Sequence, residues 1–106
     1  MLQATKGQLS GLVERIVQVV HPLRIIVFGS AARDDATPGS DVDILVVMPE
    51  GTPRRATARY LHTQLFGIPF AVDLIVTTPS HLEKHRDNLG LIYRTILAEG
   101  KELYAA

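Results

Sequence analysis

Apolar residues follow two patterns along this chain, one with a helical period and one in short continuous runs. Between positions 8 and 20 they recur three and four residues apart, which is typical of an amphipathic helix. Leu23 to Phe28, Asp41 to Met48 and Phe70 to Val76 are short runs rich in β-branched residues, which predict strands. Strands alternating with helical segments indicate an α/β protein.

Turn residues set the expected ends of these elements. His21-Pro22 ends the first helix, because the residue before proline avoids helical geometry. Thr52 is the predicted N-cap of a helix over 54–66, in which Leu61, Leu65 and Phe66 face inward, and Gly67 ends it. The remaining predictions are a short helix over 30–35, a turn over 36–40, helices over 79–87 and 89–98, and a short edge segment over 102–104.

Composition limits the classes of function. The chain has 106 residues, so we expect one domain over 1–106. Lys plus Arg equals Asp plus Glu at 11 each, so net charge gives no argument for direct nucleic-acid binding. There is no cysteine, no run long enough to span a membrane and no signal peptide pattern, so we expect a cytoplasmic protein.

Arginines at the start of the helix over 54–66 are a local exception to this balance. Arg54, Arg55 and Arg59 lie near its N-terminus, where the helix dipole disfavours positive charge. They therefore have a binding partner or form a solvated face, and we favour the solvated face over a nucleic-acid patch.

Two aspartates at the start of the second apolar run are candidate metal ligands. Side chains alternate along a strand, so Asp41 and Asp43 point the same way with their Cα atoms roughly 6.6–7 Å apart. Mg²⁺ takes oxygen ligands, commonly one or two carboxylates with water and substrate phosphates. Asp41 also fits an ordinary turn residue, whereas Asp43 lies in an apolar run where an unpaired carboxylate is costly.

Gly29 and Ser30 follow the first strand and offer a phosphate site. Glycine lets a phosphate approach the backbone, and Ser30 caps a helix start whose free N–H groups favour an anion. Arg33 lies one helical turn further on and either binds this phosphate or pairs with Asp34 or Asp35.

Asp73 interrupts the third apolar run, and such local conflicts tend to mark function. If this strand pairs beside the second, Asp73 joins Asp41 and Asp43 around one or two metal ions and helps to deprotonate a hydroxyl. The alternative is a carboxylate paired with an arginine. His81 and His85 have a spacing that suits metal binding, but we favour a solvated face for them.

At these residues the chain resembles a minimal nucleotidyltransferase of the DNA polymerase beta superfamily. That family's signature is Gly-Ser, ten residues, Asp-x-Asp and a third acid on a later strand. Here it is matched by Gly29-Ser30, Asp41-Val42-Asp43 and Asp73. The sequence around Ala32-Arg33 and the C-terminal segment over 96–104 also agree, whereas Asp34 stands where relatives often have glycine.

The resemblance implies a nucleotidyltransferase fold, a small mixed sheet of three to four strands with helices packed on it. It implies that Gly29, Ser30 and Arg33 hold the triphosphate of ATP. Asp41, Asp43 and Asp73 would then be catalytic and would bind Mg²⁺, as two ions. The implied reaction is attack on the α-phosphorus of ATP, with pyrophosphate leaving.

Small members of this type resemble the antitoxin half of HEPN/MNT toxin–antitoxin pairs. The resemblance implies a protein adenylyltransferase that moves AMP onto a tyrosine of a HEPN ribonuclease toxin, as a homodimer or a hetero-oligomer with that toxin. Two alternatives stay open: an antitoxin that neutralises its partner by binding alone, and a nucleotidyltransferase with a small-molecule acceptor.

Overall fold

The computed structural model describes residues 6–29, 41–68, 70–85 and 92–106 of the chain. Their elements, in chain order, are α1 (Lys6–Val20), β1 (Arg24–Phe28), β2 (Val42–Val47), α2 (Arg54–Gln64), β3 (Val72–Thr77), α3 (Pro79–His85), α4 (Ile92–Glu99) and β4 (Lys101–Ala105). The predicted helix over 30–35 and turn over 36–40 lie outside the described residues. None of the described helices is long and apolar enough to cross a membrane.

The strands form one mixed four-stranded sheet in the order β3-β2-β1-β4. β1 pairs antiparallel with β2 and with β4, whereas β2 and β3 are parallel and are joined through α2. The predicted mixed sheet is therefore confirmed, and the predicted edge segment is the edge strand β4. As a result, one edge of the sheet is formed by strand ends: β2 and β3 begin there, and β1 ends there. This edge runs across the strands and is distinct from the outer strands β3 and β4.

Both faces of the sheet are covered by helices. On one face, Leu12 and Ile16 of α1 and Leu61 of α2 pack against Ile25 and Ile44. The opposite face packs residues of α3 and α4 against β1 and β2 in a second cluster of buried side chains: Ile26, Phe28, Leu45, Val47, Leu82, Tyr93 and Ile96. Burial on both faces explains why β1 and β2 are almost continuously apolar.

Two predictions about α2 are wrong. Pro53 is its N-cap residue and no side chain caps it, because the Thr52 hydroxyl donates to the Pro49 carbonyl at 2.7 Å instead. Phe66 does not face inward. The helix ends at Gln64, so helical spacing no longer applies two residues later, and Phe66 is 72% exposed.

Candidate active site

The edge of the sheet where β2 and β3 begin brings two of the predicted acids together. Asp43 of β2 lies directly opposite Asp73 of β3, and also opposite Phe28 of β1. Residues that pair in neighbouring strands share a face of the sheet. Both carboxylates therefore lie on the α3/α4 face, beside the buried Phe28. The predicted pairing of Asp73 with the second strand is confirmed.

Asp41 is close to this pair along the chain but differs in setting. It is exposed and lies one residue before the first residue of β2, whereas Asp43 is half-buried within the strand. Its negative charge still acts on Asp43. The sheet edge therefore collects negative charge from all three predicted acids, with Asp43 in the middle.

Burial and negative charge together perturb Asp43. Removal of its carboxylate from water raises the pKa of Asp43, and the charges of Asp73 and Asp41 raise it further. A side-chain hydrogen bond with Asp73 acts in the same direction, since one carboxyl must carry the proton that the other accepts. Three like charges held at one edge are unfavourable unless a proton or a cation neutralises them.

Gly29 occupies a position where Asp43 leaves no room for a side chain. Its φ of +73° lies in the left-handed region that side chains rarely adopt. A Cβ at this position would collide with Oδ2 of Asp43. The backbone at the end of β1 therefore comes directly against the acid pair. The phosphate-binding role of Gly29 stays a prediction, and Ser30 and Arg33 lie outside the described residues.

The donor set at this edge fits a hard divalent cation in part. Carboxylate oxygens are the ligands that Mg²⁺ prefers, and a cation would offset the repulsion that raises the pKa of Asp43. Within residues 6–29, 41–68, 70–85 and 92–106, however, no three acidic, histidine or cysteine side chains are arranged so that they could hold a metal ion. The structure places Asp43 beside Asp73, and both Asp73 and Asp41 are exposed. The three-carboxylate metal site stays a prediction.

His81 and His85 of α3 form a separate cluster with Tyr93. The two imidazole centroids are 4.5 Å apart, and Tyr93 packs edge-on against His81 at 5.5 Å. Nη1 of Arg54 lies 3.1 Å from Nε2 of His81. Partial burial, the Arg54 charge, and the charges of His85 and Lys84 lower the pKa of His81. Both histidines are half-buried, so the preference for a solvated face is wrong.

Arg15 has a role that the sequence did not reveal. Its Nη1 donates to the carbonyl oxygens of Gln64 at 3.1 Å and Phe66 at 3.0 Å, so α1 caps the end of α2. These carbonyls have no helical partner, and an arginine also suits the negative end of the helix dipole. The polar face of α1 carries no signal for a contact so distant along the chain.

Comparison with known proteins agrees with this geometry. Residues 8–103 match the model of the family described as "Nucleotidyltransferase domain". No curated protein sequence matches the chain. A putative nucleotidyltransferase from Sulfolobus solfataricus is 24% identical, with a TM-score of 0.62 over 93% of this chain and 78% of that one.

Two toxin–antitoxin structures have a similar fold. One is a complex with AMP-PNP, 21% identical, with a TM-score of 0.59 over 91% of this chain and 73% of that one. The other is a variant of the MntA-HpeT complex, 20% identical, with a TM-score of 0.57 over 98% of this chain and 75% of that one. At these identities the likeness shows the fold.

The chain belongs to the nucleotidyltransferase domain family, since the family model covers nearly all of it. The mixed sheet and the acids at its edge are the features that the sequence motif predicted for this class.

The raised pKa of Asp43 predicts a pH dependence of stability. At a pH between the pKa of Asp43 in the unfolded chain and its raised pKa in the folded protein, the native state binds a proton that the unfolded state does not. The free energy of unfolding that Asp43 contributes is therefore lost as pH rises through the folded pKa. Without added Mg²⁺, Asp43→Asn should therefore be more stable than the parent at neutral pH, by less than about 1 kcal/mol because water screens a half-exposed group. Thermal denaturation from about pH 4 to about pH 8 measures this.

Glu50 gives a control of opposite sign. Its carboxylate accepts hydrogen bonds from the Ser80 backbone N–H at 3.2 Å and the Ser80 hydroxyl at 3.0 Å, which lower the pKa of Glu50. Stability from this group is present above its unfolded pKa and is lost as pH falls through the folded value. Glu50→Gln should therefore destabilise the protein at neutral pH. A parent profile that Asp43→Asn leaves unchanged would contradict the prediction.

Proposed function

We propose that the chain is an active nucleotidyltransferase that transfers AMP from ATP to a hydroxyl group of a partner protein. The observation that carries this proposal is the pairing of Asp43 with Asp73 at the sheet edge where β1 ends in Gly29. Acids that repel one another at one end of a sheet are unfavourable for stability, and such arrangements tend to be functional. The family match supports nucleotide chemistry at this edge.

The predicted residues divide the proposed reaction into three tasks: binding of the triphosphate, binding of the metal ion and removal of a proton. Gly29 and Ser30 bind the triphosphate through their backbone, with Arg33 as a further cationic contact. Asp41, Asp43 and Asp73 would hold Mg²⁺, and the bound ion would neutralise negative charge on the triphosphate. Asp73 also takes the proton of the acceptor hydroxyl, since it lies beside Asp43 at the edge of the site.

The proposed step is a single displacement at phosphorus. The acceptor oxygen forms a bond to the α-phosphorus of ATP, and the bond from that phosphorus to the pyrophosphate oxygen breaks. The hydroxyl proton goes to Asp73, and pyrophosphate leaves. The backbone at Gly29 keeps the triphosphate in line with the acceptor, and positioning of this kind is the protein's main contribution to phosphoryl transfer.

We infer that the acceptor is a tyrosine of a HEPN ribonuclease toxin and that the chain acts as the antitoxin, in a hetero-oligomer with that toxin. Two supports favour a protein acceptor. Similar solved structures are toxin–antitoxin complexes, one of them with AMP-PNP. The sequence motif also resembles that of minimal nucleotidyltransferases in such pairs.

Radiolabelled ATP tests the proposal. The chain is incubated with Mg²⁺, with ATP labelled at the α-phosphate, and with the purified protein encoded beside it. Label is expected on that protein and should vanish with Asp41→Ala plus Asp43→Ala. Toxin neutralised without label would favour the binding-only antitoxin. Label found on an added small-molecule acceptor, and not on the protein, would favour the other alternative. Either result contradicts transfer to protein.

A further inference from the structure

We propose that the acceptor protein docks on the outer surface of α2 together with Phe66, two residues beyond the end of the helix. We call this surface the α2 face; its members are Arg55, Arg59, Tyr60, His62 and Phe66. It fits a partner surface that carries carboxylates beside an apolar recess. The identification of the partner as the AMP acceptor rests on the proposed function; the surface itself rests on its unbalanced charge, its exposed rings and the contact of Arg15 with Phe66.

The charge of the α2 face is not balanced within the part of the chain that the structure describes. α2 has 11 residues and none is acidic. Arg55 and Arg59 lie one helical turn apart, are exposed, and make no ion pair with a described residue. Arg54 differs, because its guanidinium contacts His81. Unpaired cations in the first turns of a helix oppose its dipole, so an anionic partner would relieve a cost present in the free protein.

Aromatic rings extend the α2 face beyond its charges. Tyr60 is 52% exposed and Phe66 is 72% exposed. Aromatic and arginine side chains are enriched among residues that dominate binding energy, while single exposed apolar residues alone mean little. The combination of two exposed arginines and an exposed ring on α2 with a second exposed ring just beyond its end is what indicates an interaction surface.

Phe66 is also held in place. The Arg15 guanidinium lies 5.3 Å from its ring centroid, and the same side chain bonds its carbonyl oxygen at 3.0 Å. A cation over an aromatic ring is attractive, and the hydrogen bonds fix the backbone beneath it. A ring that is already ordered loses little conformational entropy when a partner covers it, which favours binding.

The position of the C-terminal end of the α2 face suits an acceptor protein, while Arg55 in its first turn lies toward the other end of the sheet. α2 runs from the end of β2 back to the start of β3, so Phe66 follows α2 and precedes the strand that carries Asp73. α2 packs on the sheet face opposite to the acid pair. Because the end of α2 leads to the start of β3, a protein that contacts it lies beside the strand end that carries Asp73. Such a protein can extend a side chain around the strand ends to Asp73 on the other face.

The same features favour a protein over a nucleic acid. Nucleic-acid sites neutralise several phosphates with a basic track, and proteins that carry them usually have a basic balance. Here the formal net charge is zero. The α2 face combines its two arginines with exposed rings, which matches a partner surface that is part acidic and part apolar.

Charge reversal tests the docking surface. The variants are Arg55→Glu with Arg59→Glu, and separately Phe66→Ala. The matched control is Lys84→Glu with Arg94→Glu, which reverses two exposed cations on α3 and α4, on the other sheet face. Affinity for the protein encoded beside this chain is measured by calorimetry, and circular dichroism checks the fold.

Both α2 variants should bind that protein at least about tenfold more weakly, and the control should bind it within about twofold of the parent. Transfer of label should fall at low partner concentration and recover at high concentration, whereas the affinity for ATP with Mg²⁺ stays unchanged. Equal affinity of parent and α2 variants, or no binding of the neighbouring protein to the parent, would overturn the inference. So would tight binding of a single-stranded RNA through Arg55 and Arg59.

The two proposals fail in different ways. Binding that depends on the α2 face without any transfer of label would overturn the proposed function and keep the docking surface. Transfer of label that is equal in parent and α2 variants at low partner concentration would overturn the docking surface and keep the proposed function.

Discussion

Asp43→Asn is expected to reduce AMP transfer at least about 1,000-fold at saturating ATP, because the substitution removes the negative charge at the centre of the acid cluster. Asparagine keeps the size and shape of the side chain, so the pairing of β2 with β1 and β3 should be retained. Quantified incorporation of label from ATP measures the loss. Unlike most inactivating substitutions, this one should raise the melting temperature at neutral pH without added Mg²⁺, since the cost of burying the carboxylate and its repulsion from Asp73 both disappear.

Glu50→Gln is the matched control for this variant. Glu50 is exposed and bonds Ser80 at the opposite end of β2, so its amide should leave transfer unchanged. Asp73→Asn should reproduce the loss seen with Asp43→Asn. Transfer that stays within about tenfold of the parent in Asp43→Asn would show that the chemistry takes place elsewhere, and would remove the basis of the proposed function.

Gly29→Ala should reduce both stability and AMP transfer. The new Cβ would stand in a left-handed conformation, at a cost of about 1–2 kcal/mol, and would also press on Oδ2 of Asp43. Relief of this contact must displace the carboxylate or the end of β1. We expect a fall in melting temperature of roughly 5–15 °C for a domain of this size and a loss of transfer of more than about 100-fold.

Gly51→Ala separates the two causes. Gly51 has a φ of +86°, but no atom lies within 4 Å of a Cβ placed there. The Gly51→Ala variant therefore has the same kind of backbone strain as Gly29→Ala but lacks the contact with Asp43. A similar loss of stability with normal transfer is expected for Gly51→Ala. Equal loss of transfer in both alanine variants would mean that unfolding, and not displacement of Asp43, inactivates Gly29→Ala.

The sheet and the acid pair could be predicted because each has a local signal. β1 and β2 are buried on both faces, so their sequences are almost continuous apolar runs of strand length. Asp73 interrupts another such run, and its pairing with Asp43 follows once β3 lies parallel to β2. The fold class and the position of the candidate site were therefore contained in short segments of sequence.

Features that the local pattern does not specify could not be predicted. The Thr52 hydroxyl donates to the Pro49 carbonyl three residues earlier, so the turn takes the group that would have capped the helix. Phe66 fits the inward spacing of α2, yet the helix ends before it and Arg15 of α1 fixes the ring. The burial of His81 against Tyr93 likewise needs α3 and α4 to meet. For Phe66 and His81, tertiary contacts override the local pattern.

The parallel crossover also sets the time at which the acid pair can form during synthesis. Asp43 has its β1 partner as soon as the hairpin-like pairing of β1 and β2 closes, but Asp73 reaches it only after α2 has emerged and folded back. Parallel pairing across such a connection requires closure of a long loop before any contact compensates for its entropy. A nascent chain still within the ribosomal tunnel from β3 onward thus has β1 paired with β2 but lacks the Asp43–Asp73 pair. Under the proposed function, AMP transfer would become possible only after translation has passed β3.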